Sequence, residues 1–326
     1  MRKHWIGAVA LFAALALIGL TLTACGGTSA PSASSTAAPA AKKGPIVVGS
    51  KLDGEGVLLG QIILQVLKAH GFTVEDQTRT GATKVVRQAL VSGQIDVYPE
   101  YTANALLVFH SNIKVAPSVL QSATATYDAA KNEDAAVGIT WLYQAPANNT
   151  WAVAVPKQFA DTNKLVTLED LAAYINKGGN FKIAGSQEFF TSDVAFPAFE
   201  KAYGFKLKPA QEVQVGTGDT ALPEKTAAQG TNGVNASMAY GTDGTISALN
   251  LVVLGDPKGA QPFYQPAPTL RTATVSKYPE LRVWLSPVFV KLDLATLQQL
   301  NKQVAVDGKD PKVVAATWLK TTGFVQ

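Results

Sequence analysis

Apolar positions along this chain fall into two alternating rhythms. Ile46-Val47-Val48 is a β-branched run that stops at Gly49-Ser50-Lys51, the pattern of a strand entering a loop. Leu58/Leu59, Ile62/Ile63 and Val66/Leu67 then recur every four residues, a buried helical stripe closed by Gly71. Phe72-Thr73-Val74 predicts the next strand. Thr83 is placed to cap a helix carrying Val85, Val86, Ala89 and Leu90 and ended by Gly93, and Ile95 to Tyr98 predicts a third strand. After Asn148-Asn149-Thr150 the rhythm resumes, with strands expected at 151–155, 181–184, 236–240 and 251–254 and helices near 168–176, 194–203 and 220–229. Helices near 277–285, 294–305 and 310–322 complete the pattern.

Strands alternating with helices at this spacing predict an α/β fold with mostly parallel sheets covered by helices on both faces. Two α/β lobes accommodate the elements better than one, with crossings near 145–150 and 250–255 and the C-terminal third returning to the first lobe. The division expected is lobe I from 45–147 and 253–326, and lobe II from 148–252. A cleft between lobes, at the carboxyl ends of parallel strands, is a common ligand site.

The N-terminus changes the picture of where the protein resides. Arg2, Lys3 and His4 precede an apolar run from Trp5 to Leu22, and Leu22-Thr23-Ala24-Cys25 follows. This is the layout of a secretory signal, and a cysteine after Leu-x-Ala is the lipoprotein form of it. An uncleaved membrane helix is the competing reading. The lipoprotein form implies removal of residues 1–24, acylation of Cys25 and an extracytoplasmic protein tethered to the outer face of a membrane. Cys25 is the single cysteine of the chain, so no disulfide forms within it. Residues 25–44, rich in Gly, Ser, Thr, Ala and Pro, predict a flexible tether.

Charge excludes one class of partner. The chain carries a formal +4, and loss of Arg2 and Lys3 leaves the remainder near +2. With no basic run interleaved with aromatics, a nucleic-acid binder is not indicated. Enzyme chemistry is equally thin. No Cys/His spacing suits zinc, and no serine sits in a Gly-x-Ser-x-Gly turn. His70 ends a helix beside Gly71, where it suits the carbonyl end and the helix dipole. His110, after Phe109 in a helix-to-loop passage, reads as a surface residue. No metal, cofactor or chemical step is expected. The glycines at 54, 56 and 60 miss the dinucleotide-binding spacing. Lys51, beside a helix N-terminus, is a natural place for an anion, or a solvated lysine before a turn.

Four aromatics stand in polar settings at separate points: Tyr101 beside Glu100, Trp151 after Asn148-Asn149-Thr150, Tyr240 before Gly241-Thr242-Asp243, and Tyr264 before Gln265-Pro266-Ala267-Pro268. Singly, each reads as packing. Jointly, they suit a bulky organic cation. A trimethylammonium group has no N–H to donate, so aromatic faces rather than hydrogen bonds must select it. Each face contributes roughly 0.5–2 kcal/mol, and four supply several of the roughly 8 kcal/mol that micromolar binding requires.

At Val48-Gly49-Ser50-Lys51, Gly93-Gln94-Ile95-Asp96-Val97-Tyr98-Pro99-Glu100-Tyr101-Thr102, Asn148-Asn149-Thr150-Trp151, Tyr240-Gly241-Thr242-Asp243-Gly244 and Pro262-Phe263-Tyr264-Gln265-Pro266-Ala267-Pro268, the chain resembles a known family. It is that of the substrate-binding proteins of quaternary-ammonium ABC importers, the betaine/choline family. Pro197 to Phe205 and Gly233 to Tyr240 look most like its OsmF (YehZ) branch. The resemblance implies a two-lobed periplasmic-binding-protein fold, type II-like, that closes on ligand. It also implies an ABC permease and its ATPase as partners, and a monomeric receptor. It places Tyr101 and Tyr264 in a cage from the first lobe, and Trp151 and Tyr240 from the second, with tryptophan where relatives usually carry tyrosine. The backbone near Asn149 would approach the ligand methyl groups. Lys51 and Asn104 would serve the carboxylate end, with Ser192 standing where relatives have an arginine. Serine brings no charge and no bidentate fork, so the resemblance leaves three ligand classes open: a glycine betaine-like osmolyte, a carboxylate-free cation such as choline, and an ergothioneine-like or non-quaternary solute. A ligand-sensing lipoprotein is the alternative to a transport receptor.

Overall fold

Alternation of short apolar strands with amphipathic helices resolves into two sheets of one design. A computed structural model of the chain describes residues 43–215 and 220–326. The expected signal peptide, Cys25 and most of the expected tether lie outside the described residues. In chain order the strands are β1 (Lys43–Gly49), β2 (Phe72–Gln77), β3 (Val97–Tyr101), β4 (Ile139–Trp141), β5 (Trp151–Pro156), β6 (Ile183–Gly185), β7 (Glu212–Gln214), β8 (Ala236–Tyr240), β9 (Leu251–Val253) and β10 (Pro266–Arg271). The first sheet has the order β2-β1-β3-β10-β4 and the second β7-β6-β8-β5-β9. In the first, β1 runs parallel to β2 and β3 while β10 is antiparallel to β3 and β4. In the second, β6 is parallel to β7 and β8 while β5 is antiparallel to β8 and β9. The antiparallel strand of each sheet is the one that arrives by a crossing, and this puts both crossings at the same end of the molecule as the site.

β1 begins at Lys43, inside the stretch that composition assigns to the tether. Lys43 pairs in register with Phe72. Its ammonium meets Glu280 at 2.5 Å and lies over the rings of Phe72 and Trp284, contacts that hold the residue in the strand.

The helical stripe of the first unit is buried as its period requires. Gly54–Ala69 starts at Asp53, whose side chain accepts from Gly56 N at 2.7 Å. Leu58, Leu59, Ile62 and Ile63 are fully buried against Leu285, Phe289, Leu297 and Leu319 of the C-terminal helices. The second sheet buries a phenylalanine-rich core of Phe181, Phe189, Phe196 and Phe199.

Local chemistry explains the differences from the predicted elements. The helix expected over 277–285 is two, Thr272–Lys277 and Leu281–Val290, because Pro279 excludes helical geometry at Tyr278. Ala82, not Thr83, takes the cap position of the Thr83–Ser92 helix. β10, a strand absent from those predicted, carries prolines at 266 and 268. Pro266 and Pro268 accept from Ala145 N at 2.8 Å and Leu142 N at 2.9 Å, past the end of β4. Their missing N–H groups therefore fall beside irregular chain rather than a ladder partner. Helix Ala123–Ala135 carries too little apolar periodicity to be read from sequence.

Candidate functional site

Register brings the four aromatics together in pairs. Tyr101 ends β3, and its antiparallel partner is Pro266 at the start of β10, so Tyr264 enters the same sheet edge. Trp151 starts β5 directly opposite Tyr240, which ends β8. The two crossings run side by side: Asn149 N donates to Tyr264 O at 3.0 Å and Tyr264 N donates to Asn148 Oδ1 at 2.7 Å. Gly241 sits against this junction, donating to Thr150 O at 3.0 Å. A Cβ there would come within 2.5 Å of Asn148 O, so the approach needs glycine.

The result is a cavity of about 680 Å³ whose lining includes Tyr101, Trp151, Tyr240 and Tyr264, with Lys51, Asn104 and Asn149 at the polar end. The rings are not four independent walls. Trp151 and Tyr240 stack at 4.3 Å between centroids, 26° apart, which uses one face of each; Trp151 also meets Phe189 at 5.4 Å. Tyr101 carries the Lys51 ammonium 4.6 Å from its ring centroid. Burial keeps the phenols of Tyr101, Tyr240 and Tyr264 above the ordinary tyrosine value, so all three stay neutral.

At the polar end, Lys51, which the sequence offers as an anion contact or a solvated lysine, has its ammonium 2.7 Å from Glu100 Oε1, and both are buried. Glu100 also accepts from Tyr98 Oη at 2.8 Å, Tyr101 N at 2.7 Å and Asn104 Nδ2 at 2.9 Å. Lys51 and Asn104 line the cavity, each with one donor on Glu100. Asp53, Glu55, Glu188 and Asp243 line the same cavity. Among its described lining residues Lys51 is the sole cationic side chain, and the balance is acidic.

Glu55 is the residue that sequence reasoning missed. It lies in the first turn of Gly54–Ala69, where an acid reads as routine complement to the helix dipole. It accepts from Tyr101 Oη at 2.6 Å, Asn149 Nδ2 at 3.0 Å and Asn301 Nδ2 at 2.5 Å. Asn301, from helix Leu294–Ala305, also donates to Thr242 O at 2.9 Å. One carboxyl thus gathers β3, the crossing and the C-terminal helix. Burial pushes it up to about 7, against the lowering effect of hydrogen bonds from Thr242, Tyr101 and Asn301.

Ser192 is not brought to the cavity. Helix Gln187–Thr191 ends at it, its N–H closing on Glu188 O at 2.9 Å, and the chain turns to extended geometry there. Glu188, one turn earlier, faces the cavity instead. His110, read as a surface residue, is drawn inward: its Nε2 lies 2.8 Å from the buried Asp134, which also holds Arg87 and Trp141. His70 ends its helix as expected, and its ring stacks on Trp284 at 4.2 Å. Among the described residues no group of His, Cys, Asp or Glu side chains is arranged to hold a metal ion, and no helix is long and apolar enough to cross a membrane.

The family model for the substrate binding domain of ABC-type glycine betaine transport systems, OpuAC, matches residues 44–321. The chain belongs to that family. Its members are transport receptors with a two-lobed α/β fold. The glycine betaine-binding protein YehZ of Escherichia coli strain K12 is 45% identical over 327 aligned positions, covering 100% of this chain and 99% of YehZ. The structure of apo YehZ superposes with a TM-score of 0.79 at 49% identity, covering 87% of this chain and 100% of that one. A glycine-betaine-binding protein of Pseudomonas aeruginosa is 31% identical over 283 positions, 84% of this chain and 86% of its own.

Proposed function

We propose that this chain is the receptor of an ABC importer and captures a quaternary-ammonium solute, glycine betaine or a relative of it, between its lobes. The observation that carries the reading is the convergence of Tyr101, Trp151, Tyr240 and Tyr264 on one cavity from two sheets. The lobes are 45–147 with 253–326, and 148–252. Ligand contacting both sheets stabilises the closed form, and the permease, driven by its ATPase, distinguishes that form from the open one. This is a population shift, driven by the difference in affinity between the two forms. The receptor carries out no chemical step. It works as an extracytoplasmic monomer, anchored to the membrane through acylated Cys25.

The engagement of Lys51 by Glu100 and the absence of Ser192 from the lining favour a second reading, in which the preferred solute has no carboxylate. Calorimetry of the full-length protein with glycine betaine, proline betaine, choline, carnitine and ergothioneine tests both. Heat from any quaternary ammonium supports the reading, and silence from all of them removes it. Stimulation of permease ATP turnover by the loaded receptor separates transport from sensing.

A further inference from the structure

We propose that Glu55 reads the net charge of the bound solute: a monocation is held with Glu55 ionised and a proton released to solvent, whereas a betaine is held with Glu55 protonated and donating to the ligand carboxylate. This rests on the quaternary-ammonium reading of the cavity and deepens it.

The geometry supports two states of one carboxyl. Glu55 lines the cavity at 8% exposure and receives donors from Tyr101, Asn149 and Asn301, which suits an anion. A protonated Glu55 keeps the same donors: Oε1 accepts from Tyr101 and Asn149, and Oε2 accepts from Asn301 while its single O–H is left to donate to a ligand. The network is therefore compatible with either form of the carboxyl.

The charged surroundings tie each form to a ligand class. Asp53 faces Glu55 from its own helix N-terminus and Tyr101 from β3; Thr242 and Asn301 complete the contact without charge. Asp243 and Glu188 act across the cavity, where Tyr240 and Tyr264 are neutral. Lys51 is neutralised on Glu100. A solute cation adds the charge this acidic lining lacks and favours ionised Glu55. A zwitterion brings its own carboxylate into a site whose one lining cation is already paired, and a protonated Glu55 supplies a further donor. A carboxyl held near 7 by burial changes form for little free energy at neutral pH.

Titration calorimetry of the full-length protein with choline and with glycine betaine, at about pH 6 and about pH 8 in two buffers of different ionisation enthalpy, decides the matter. Choline affinity is expected to rise roughly tenfold across this interval, with proton release into the buffer, and glycine betaine affinity to fall by a similar factor. Glu55→Gln should flatten both slopes and weaken choline at the higher pH. The buffer-dependent heat of the wild-type protein stands even if that variant misfolds. Slopes of the same sign for both solutes, slopes unchanged in Glu55→Gln, or no proton exchange would overturn the assignment to Glu55 while leaving the cage intact. If only one solute binds, the sign of its own slope supports or overturns that assignment. Absence of binding by both at either pH overturns the quaternary-ammonium reading and this inference together.

Discussion

Tyr101 in the first sheet and Tyr240 in the second occupy matching places, each ending the third strand of its sheet beside the start of the antiparallel strand. Their supports differ. Tyr101 is positioned by carboxylates: its hydroxyl on Glu55, its N–H on Glu100, and its ring under the Lys51 ammonium that Glu100 also holds. Tyr240 is positioned by stacking on Trp151, which in turn rests on Phe189. One topology therefore presents two kinds of wall. The first is sensitive to charge and to pH, the second to shape.

Removing charge from the first wall is expected to cost most. Glu100→Gln keeps the side chain's size but leaves Lys51 buried without its counter-ion, a loss of about 3–5 kcal/mol in urea denaturation. A cost below about 1 kcal/mol would mean that the ion pair does not hold this wall. Next is the pH response of the ligand-free protein. The folded value for Glu55 lies above the ordinary 4.5, so between 4.5 and about 7 the unfolded chain binds fewer protons than the folded one. This contribution makes stability fall as pH rises through that window, on the order of 3 kcal/mol when complete. Thermal melts of wild type against Glu55→Gln isolate it, since the variant should lack that fall.

Binding separates the walls less steeply. Tyr101→Leu removes an aromatic face and a donor to Glu55, and calorimetry should show quaternary-ammonium affinity lower by about 1–2 kcal/mol. Phe189→Leu is expected to cost about 1 kcal/mol of stability and only a few-fold in affinity, because it loosens the support of Trp151 without touching the cavity. Equal binding losses from the two changes would erase the contrast. Ser192→Ala should lie within about 0.5 kcal/mol of wild type in both stability and binding, because Ser192 ends its helix away from the lining.

How far these walls are legible in the sequence follows the same division. The stripe Leu58 to Leu67, the strands around Trp151 and Tyr240, and the convergence of four aromatics follow from period and position, which local sequence records. Pro266 and Pro268 hide β10, because their place in the sheet depends on a short neighbour, β4, that leaves their missing donors without consequence. The polar end is the least readable. Lys51 beside a helix N-terminus suits an anion or a solvated lysine, and nothing local indicates that Glu100, far along the chain, pairs with it. Glu55 looks like an ordinary first-turn acid, and its partners Tyr101, Asn149 and Asn301 come from three distant segments. His110 likewise gains its place from Asp134, a partner brought by the unanticipated helix Ala123–Ala135.

The most direct test of the cage is a comparison of choline with its uncharged tert-butyl isostere by titration calorimetry on the full-length protein. The two have nearly the same shape and apolar surface and differ in the onium charge. Aromatic faces selecting a cation predict choline binding at least about tenfold more tightly. Equal affinities, or binding of the isostere alone, would contradict the account, because the cavity would then be recognising bulk rather than charge.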